Sequence, residues 1–222
     1  MKNFELTSKS KELAIKSINK YKKIIEVAKQ KGLNESDTSN IINDMLGEIL
    51  GYDKFFDVTT EYRIRGQYCD YGVKIDNKLT FLIEVKGITI DLNSNHIFQA
   101  TSYAGNEGIK YVVLTNLKKW RLYYLSFGKK VDYDLILEVD LLEDNSSSKI
   151  LDSFKYFHKE SFIKGAVEEL FLKTQAFSNK NIQKILLSPV ILKKIQAELK
   201  TLTGLKLEVE EVEAKIKDLI AK

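Results

Sequence analysis

Three small groups of residues in this chain have types and spacings that suit chemistry. Asp70 lies on a β-prone run, YCDYGVKID; Glu84 and Lys86 stand two apart on FLIEVKG; Gln99 and Tyr103 stand four apart in HIFQATSY. Side chains alternate across a strand, so Leu82, Glu84 and Lys86 point to one face while Phe81, Ile83 and Val85 point to the other. A carboxylate and an ammonium at the end of an apolar strand cost several kcal/mol to bury unless a partner or a metal offsets them, roughly as for any desolvated ion. Asp70 is a candidate partner, because Asp76-Asn77-Lys78 offers a turn that folds its strand back beside Glu84. Two carboxylates with an adjacent lysine suit a hard divalent cation, magnesium or manganese, and a water attacking a phosphodiester. Such an ion polarises the phosphate and lowers the pKa of bound water, with Lys86 orienting or activating that water. The plainer alternative is a Glu84–Lys86 ion pair beside a turn capped by Asp70.

The elements that must position these residues are legible from periodicity. Residues 8–31 read as a helix with Ala14, Ile18, Tyr21, Ile25 and Ala28 on one face and Gly32 as its stop. Asn34 or Ser36 caps a second helix, striped by Ile42, Met45, Leu46, Ile49 and Leu50 and ending at Gly51. Glu35 sits in its first turn, where a carboxylate also complements the helix dipole. Val58 to Ile64 reads as a strand, 65–67 as a turn, and the two motif strands follow. Asn93 or Ser94 caps a helix over 95–104 that sets His96, Gln99 and Tyr103 on one face. YVVLTN, WRLYYLSF and DLILEVDLL supply three further strands, the last at an edge. KKWRLYY reads as sheet core ahead of a base-stacking surface. This order predicts an α/β fold with a mixed central sheet flanked by helices.

EDNSSSK at 143–149 is the clearest change of composition, and everything after it reads as helix. The expected division is a domain over 1–143 and an all-helical C-terminal region over 149–222. No long heptad seam and no Walker-type phosphate loop occur, so the chain carries no motor of its own.

The order helix, strand, Asp, then apolar-Glu-x-Lys, then a helix with Gln-x-x-x-Tyr resembles the PD-(D/E)XK nuclease superfamily. More narrowly, it resembles the nuclease domain of type I restriction enzyme R subunits and related stand-alone restriction endonucleases. The matching stretches are NESDTSNIINDMLGEILGYD, VTTEYRI, YCDYGVKIDNKLTFLIEVKG, QATSY and YVVLTNLKKWRLYYL, about residues 33–142. The resemblance implies a restriction-endonuclease-like core and a magnesium- or manganese-dependent endodeoxyribonuclease. It makes Asp70 and Glu84 metal ligands, Lys86 the catalytic lysine, and Gln99 and Tyr103 the accessory pair. Glu35 is the implied first-helix carboxylate and third ligand, with Glu48 and Glu61 as alternatives. Cys69 stands where the family name puts proline, and Ser39 where relatives often carry a basic residue.

Composition is that of an ordinary globular chain: 222 residues, 44% hydrophobic and 30% charged. One cysteine leaves no internal disulfide and no thiolate cluster, and two histidines, His96 and His158, are too few for a histidine-rich zinc site. The first residues lack the continuous apolar run of a signal peptide, and no stretch has the roughly 20 apolar residues of a membrane span. A cytoplasmic protein with no membrane partner is expected. A formal charge of +4 permits nucleic acid without requiring it. DNA is the expected partner, and the C-terminal helices are candidates for self-association or for docking another protein. Against the nuclease stand a catalytically silent nucleic-acid-binding or assembly module with the same fold, and an interaction protein whose sheet is only structural.

Overall fold

Thr7 and Asn34 start the two N-terminal helices. The Thr7 hydroxyl accepts from the Ser10 N–H at the head of α1 (Ser8–Lys31), and the Asn34 side chain accepts from the Asp37 N–H at the head of α2 (Glu35–Glu48). Gly32, at φ 62°, closes α1. The computed structural model describes residues 4–64, 66–128 and 131–220, with the backbone alone for Gln99, Ser102, Tyr103 and Asn106. The apolar stripe expected on α1 is the buried one: Ala14, Ile18, Tyr21, Ile25 and Ala28. α2 stops at Glu48, before the expected Gly51. Gly51 has φ 74°, and a Cβ there would meet the His158 ring at 2.8 Å, so the position takes only glycine on both counts.

A six-stranded sheet follows: β1 (Val58–Ile64), β2 (Gln67–Ile75), β3 (Lys78–Val85), β4 (Tyr111–Thr115), β5 (Lys119–Phe127) and β6 (Val131–Asp140), side by side in chain order. The β3–β4 pair is parallel and the other four are antiparallel, because α3 (Ser94–Asn106) carries the chain back between β3 and β4. The fold class is therefore α/β with a mixed sheet. Asp76 and Asn77, at φ 51° and 62°, form the two-residue turn that sets β2 against β3. Of the turn expected at 65–67, Gly66 has φ 86° and Arg65 lies outside the described residues.

Both faces of the sheet are covered. On one, Leu82, Val112, Leu114, Tyr123 and Leu125 pack against Ile97, Ala100 and Ala104 of α3. On the other, Phe81, Ile83 and Val85 are buried, with α2 packed on β3 and the Tyr52 and Phe162 rings against Phe81. Trp120 is buried, with its indole N–H donating to the Leu117 carbonyl, so KKWRLYY is sheet core as expected.

The polar loop at 143–149 does not end this packing. α4 (Ser147–Phe154), a 3-10 turn (Lys155–Phe157) and α5 (Lys159–Ile163) continue it, with Phe154 and Phe157 5.3 and 5.7 Å from the Trp120 ring and Phe162 stacked on Phe81 at 4.8 Å. The chain divides instead into compact units Met1–Glu169 and Leu170–Lys222. The boundary expected at 143–149 is thus displaced, because aromatic side chains after the loop complete the core before it. The division falls within α6 (Ala166–Ala176). The second unit continues through α7 (Asn179–Leu186), capped by Ser178, α8 (Pro189–Thr203), opened by Pro189, and α9 (Val209–Ile220). Leu192 and Val212 are its buried apolar residues. No described helix is long and apolar enough to cross a membrane.

Candidate functional site

Where β2 and β3 separate, the sequence-predicted carboxylates come together. The β2–β3 ladder ends at Tyr71↔Ile83, and one residue further Asp70 replaces the missing backbone acceptor: its Oδ2 receives the Val85 N–H at 2.7 Å. Glu84, 5% exposed, accepts from Lys86 Nζ at 2.8 Å, and the same ammonium lies 3.4 Å from Glu35 Oε2. Glu35 reaches the site because the backbone at Gly87 packs against the Leu33–Glu35 turn that starts α2.

Electrostatics at this strand end is dominated by desolvation. Burial pushes the Asp70 carboxyl above its usual range, with Glu35 and Glu61 adding to the rise and the Val85 N–H and Lys86 opposing it. Glu84 is raised for the same first reason; Lys86 opposes the shift, while Asp70 and Glu35 reinforce it. Lys86 is itself raised: burial works against its charge, but Glu84, Glu35 and Asp70 together outweigh it. Two strained carboxylates thus share one firmly charged lysine. Cys69 fills the adjoining space as an inert thiol. It is buried, donates to the Ile83 carbonyl at 3.1 Å, and has its pKa raised first by burial and then by Glu84 and Asp70.

Comparison of the chain with protein-family models, curated proteins and solved structures finds no match. The site therefore stands on its own geometry.

Of the three candidates for a further acid, the fold brings two to this place. Glu35 and Glu61 line a cleft with Asp70, whereas Glu48 lies at the far end of α2 and pairs with Lys20 at 2.7 Å. Glu61 holds φ 48°, a conformation that non-glycine residues seldom adopt. Gln99 and Tyr103 are on α3, but their side chains lie outside the described residues. His96 is occupied in the helix cap, its ring nitrogen accepting from the Asn93 N–H at 3.3 Å.

The donor chemistry fits a hard cation. Among the described residues no group of three or more His, Cys, Asp or Glu side chains is arranged to hold a metal, and the Asp70–Glu84 pair is the donor set the fold offers. Magnesium commonly takes one or two carboxylates and fills its remaining positions with water and substrate oxygens. Raised carboxyl pKa values also give a divalent ion something to relieve.

The cleft beside Asp70 is about 500 Å³, and it draws on a polar face of α2 from which the sequence had singled out only Ser36, as a cap, and Ser39, as a departure from the family pattern. Besides the three acids it is lined by Ser36, Ser39, Asn40 and Asn43 of α2, Thr60 of β1 and Tyr71 of β2. The signal was present in the spacing: residues 36, 39, 40 and 43 fall on one face of α2. The Tyr71 hydroxyl ties that face to the sheet, donating to the Ser39 carbonyl at 2.7 Å.

One stability prediction follows from the signs of these shifts. A carboxyl whose pKa is raised by folding penalises the folded state above that raised value and ceases to do so once pH falls below the unfolded value. Asp70→Asn removes the penalty, and its amide oxygen still accepts from Val85. At pH 8 the variant is expected to be as stable as the parent or more so, by up to about 2 kcal/mol. The difference should shrink as pH falls through the raised folded value and reach zero only below the ordinary aspartate value of about 3.9. Urea unfolding at several pH values measures it; a loss above about 4 kcal/mol at pH 8 would instead make Asp70 a structural keystone.

Proposed function

We propose that the Met1–Glu169 unit is a metal-dependent endodeoxyribonuclease of the restriction type, related to PD-(D/E)XK enzymes. The observation that carries this reading is the convergence of Asp70, Glu84 and Lys86 where β2 and β3 part, with the lysine 2.8 Å from Glu84. An α/β fold with a mixed sheet, in which β3 carries Glu84 and α3 follows it, supports the same reading.

Asp70 and Glu84 would hold magnesium or manganese. When bound, the ion supplies charge neutralisation at the phosphate and a more acidic water. Asp70 is fixed by the Val85 N–H, so one carboxylate oxygen is oriented before substrate arrives. Lys86, with its pKa raised, is an ammonium at neutral pH. It therefore acts as a hydrogen-bond donor and positive charge toward a phosphate oxygen or the attacking water, and not as the base. Glu35 accepts from that ammonium and keeps it at the mouth of the site. In the Leu170–Lys222 unit, Phe177, Val190 and Leu202 are exposed, which supports a role for these helices in self-association or in docking a protein partner.

Incubation of supercoiled plasmid with manganese, using parent and Asp70→Asn protein, tests this function. The parent is expected to nick and linearise; the variant is not. Calorimetry with manganese should show weak binding that Asp70→Asn and Glu84→Gln each reduce by at least about tenfold. Because the ion displaces protons from raised carboxyls, affinity should increase as pH rises through their pKa values and level off above them. Absence of cleavage by the parent on both modified and unmodified DNA would turn the reading to a silent nucleic-acid-binding module.

A further inference from the structure

Near the foot of α2, Phe55 and Phe56 stand side by side on the turn that leads into β1, 90% and 80% exposed. Single exposed apolar residues are common, but two adjacent phenylalanines this bare form a patch that favours being covered. The turn holds them there. Asp53 Oδ1 accepts from the Phe55 N–H at 2.8 Å and from the Phe56 N–H at 3.1 Å, and Asp57 Oδ2 accepts from the Asp53 N–H at 2.8 Å. The Asp57 carbonyl in turn accepts from the Lys74 N–H of β2 at 2.7 Å, which ties the turn to the sheet. With the backbone fixed in this way, little freedom is left to lose when the rings are covered.

Beside this projection lies a recess. Two hollows of about 220 and 350 Å³ share Leu13 and Glu48 and are lined mainly by apolar surface, with Leu13 52% and Ile163 57% exposed. The smaller hollow adjoins the turn: Gly47 in its wall lies against the Lys54 side chain, and Lys159 in its wall pairs with Asp57 at 2.5 Å. The charges of the turn and the hollows balance, with Lys16, Lys20, Lys54 and Lys159 set against Glu48, Asp53, Asp57 and Glu160. Several are paired among themselves, as Lys20 is with Glu48 at 2.7 Å. A surface with no net charge exerts no pull on a phosphate chain or an anionic membrane, and it lacks the repulsion that would hold two like copies apart.

We propose that this face joins two copies of the chain about a two-fold axis, the Phe55–Phe56 tip of each entering the recess of the other. An apolar projection and an apolar recess side by side on one face are what an isologous contact needs, since an axis passing between them brings each onto its counterpart. The area is sufficient. A phenylalanine covers roughly 150 to 250 Å², so four rings remove about 600 to 1,000 Å² and the walls they meet a similar amount. Together these reach the roughly 1,200 to 2,000 Å² of a stable interface. α2 is about 20 Å long, with Glu35 at its head and Glu48 at its foot, so the contact leaves Asp70, Glu84 and Lys86 of both copies open. Such a dimer is independent of the nuclease reading, and it is held by the Met1–Glu169 unit, not by the C-terminal helices.

Sedimentation of the full chain over a range of concentrations tests the dimer, using the parent, Phe55→Ser/Phe56→Ser, and Leu13→Glu, which sets a carboxylate in the recess. The parent should dimerise with a Kd in the micromolar range or below, and each variant should raise that Kd by at least about a hundredfold. The deciding measurement is a mixture of the two variants, one of them carrying a fluorophore. A heterodimer keeps one intact contact, the phenylalanine tip of the Leu13→Glu copy in the recess of the other, so the mixture should associate at least about tenfold more tightly than either variant alone. Phe55 and Phe56 are exposed, so the phenylalanine variant should keep the parent's melting temperature; a clear fall would make the turn part of the monomer's own packing and overturn the proposal. Ile163→Glu, also in the wall of the recess, takes the place of Leu13→Glu should that variant unfold. A parent that stays monomeric up to about 1 mM overturns the dimer. So do variants that associate as the parent does, which would move the contact to another surface, and a mixture no tighter than its components, which would mean that tip and recess do not meet.

Discussion

Lys86→Ala is expected to lower manganese-dependent DNA cleavage by on the order of a hundredfold or more, the scale of losing one positioned donor at a site of developing charge. The side chain is a committed cation, held 2.8 Å from Glu84 and 3.4 Å from Glu35, so its removal takes charge and a hydrogen bond away from one place. Binding responds differently. Affinity for a polyanion is distributed over many basic groups, so one lysine changes it little and lowers the salt slope by about 1. Anisotropy with a labelled duplex in calcium, set beside plasmid nicking in manganese, separates the two effects. Cleavage by Lys86→Ala equal to that of the parent would place the reaction elsewhere or in a contaminant. An equal fall in binding and cleavage would make Lys86 an ordinary phosphate contact.

A chain stopped after Glu143 is expected not to fold, whereas one stopped after Ala176, with α6 whole, is expected to fold cooperatively. The shorter chain loses Phe154 and Phe157, both buried against Trp120, and Phe162 stacked on Phe81. It also loses the Tyr52 hydroxyl bond to the Phe157 carbonyl at 3.0 Å and the Lys159 N–H bond to the Leu50 carbonyl at 2.9 Å. Each buried phenylalanine is worth roughly 3 to 5 kcal/mol when truncated, so Phe154 and Phe157 together already reach the roughly 5 to 15 kcal/mol that holds a typical domain, with the stacking of the half-buried Phe162 in addition. The longer chain keeps all of these contacts, together with the Tyr111 hydroxyl bond to Glu168 at 2.5 Å. Circular dichroism and urea unfolding of both forms measure the outcome. A cooperative transition in the 1–143 chain would return the boundary to the polar loop.

The sequence alone determined the elements and the central motif. Periodic stripes placed α1 and α2, alternation placed the strands, and Asp76-Asn77 announced the hairpin because two residues with positive φ need such side chains. The same local rules put Glu84 and Lys86 on one strand and Asp70 on its neighbour. Tertiary structure alone decided what depends on contacts between distant residues. It chose Glu35 and Glu61 over Glu48 as companions of Asp70, since that choice is made by which end of α2 meets Gly87 and which strand runs beside β2. It carried the core past the polar loop, since a hydrophilic stretch marks an exposed turn and gives no information about the aromatic residues that follow it.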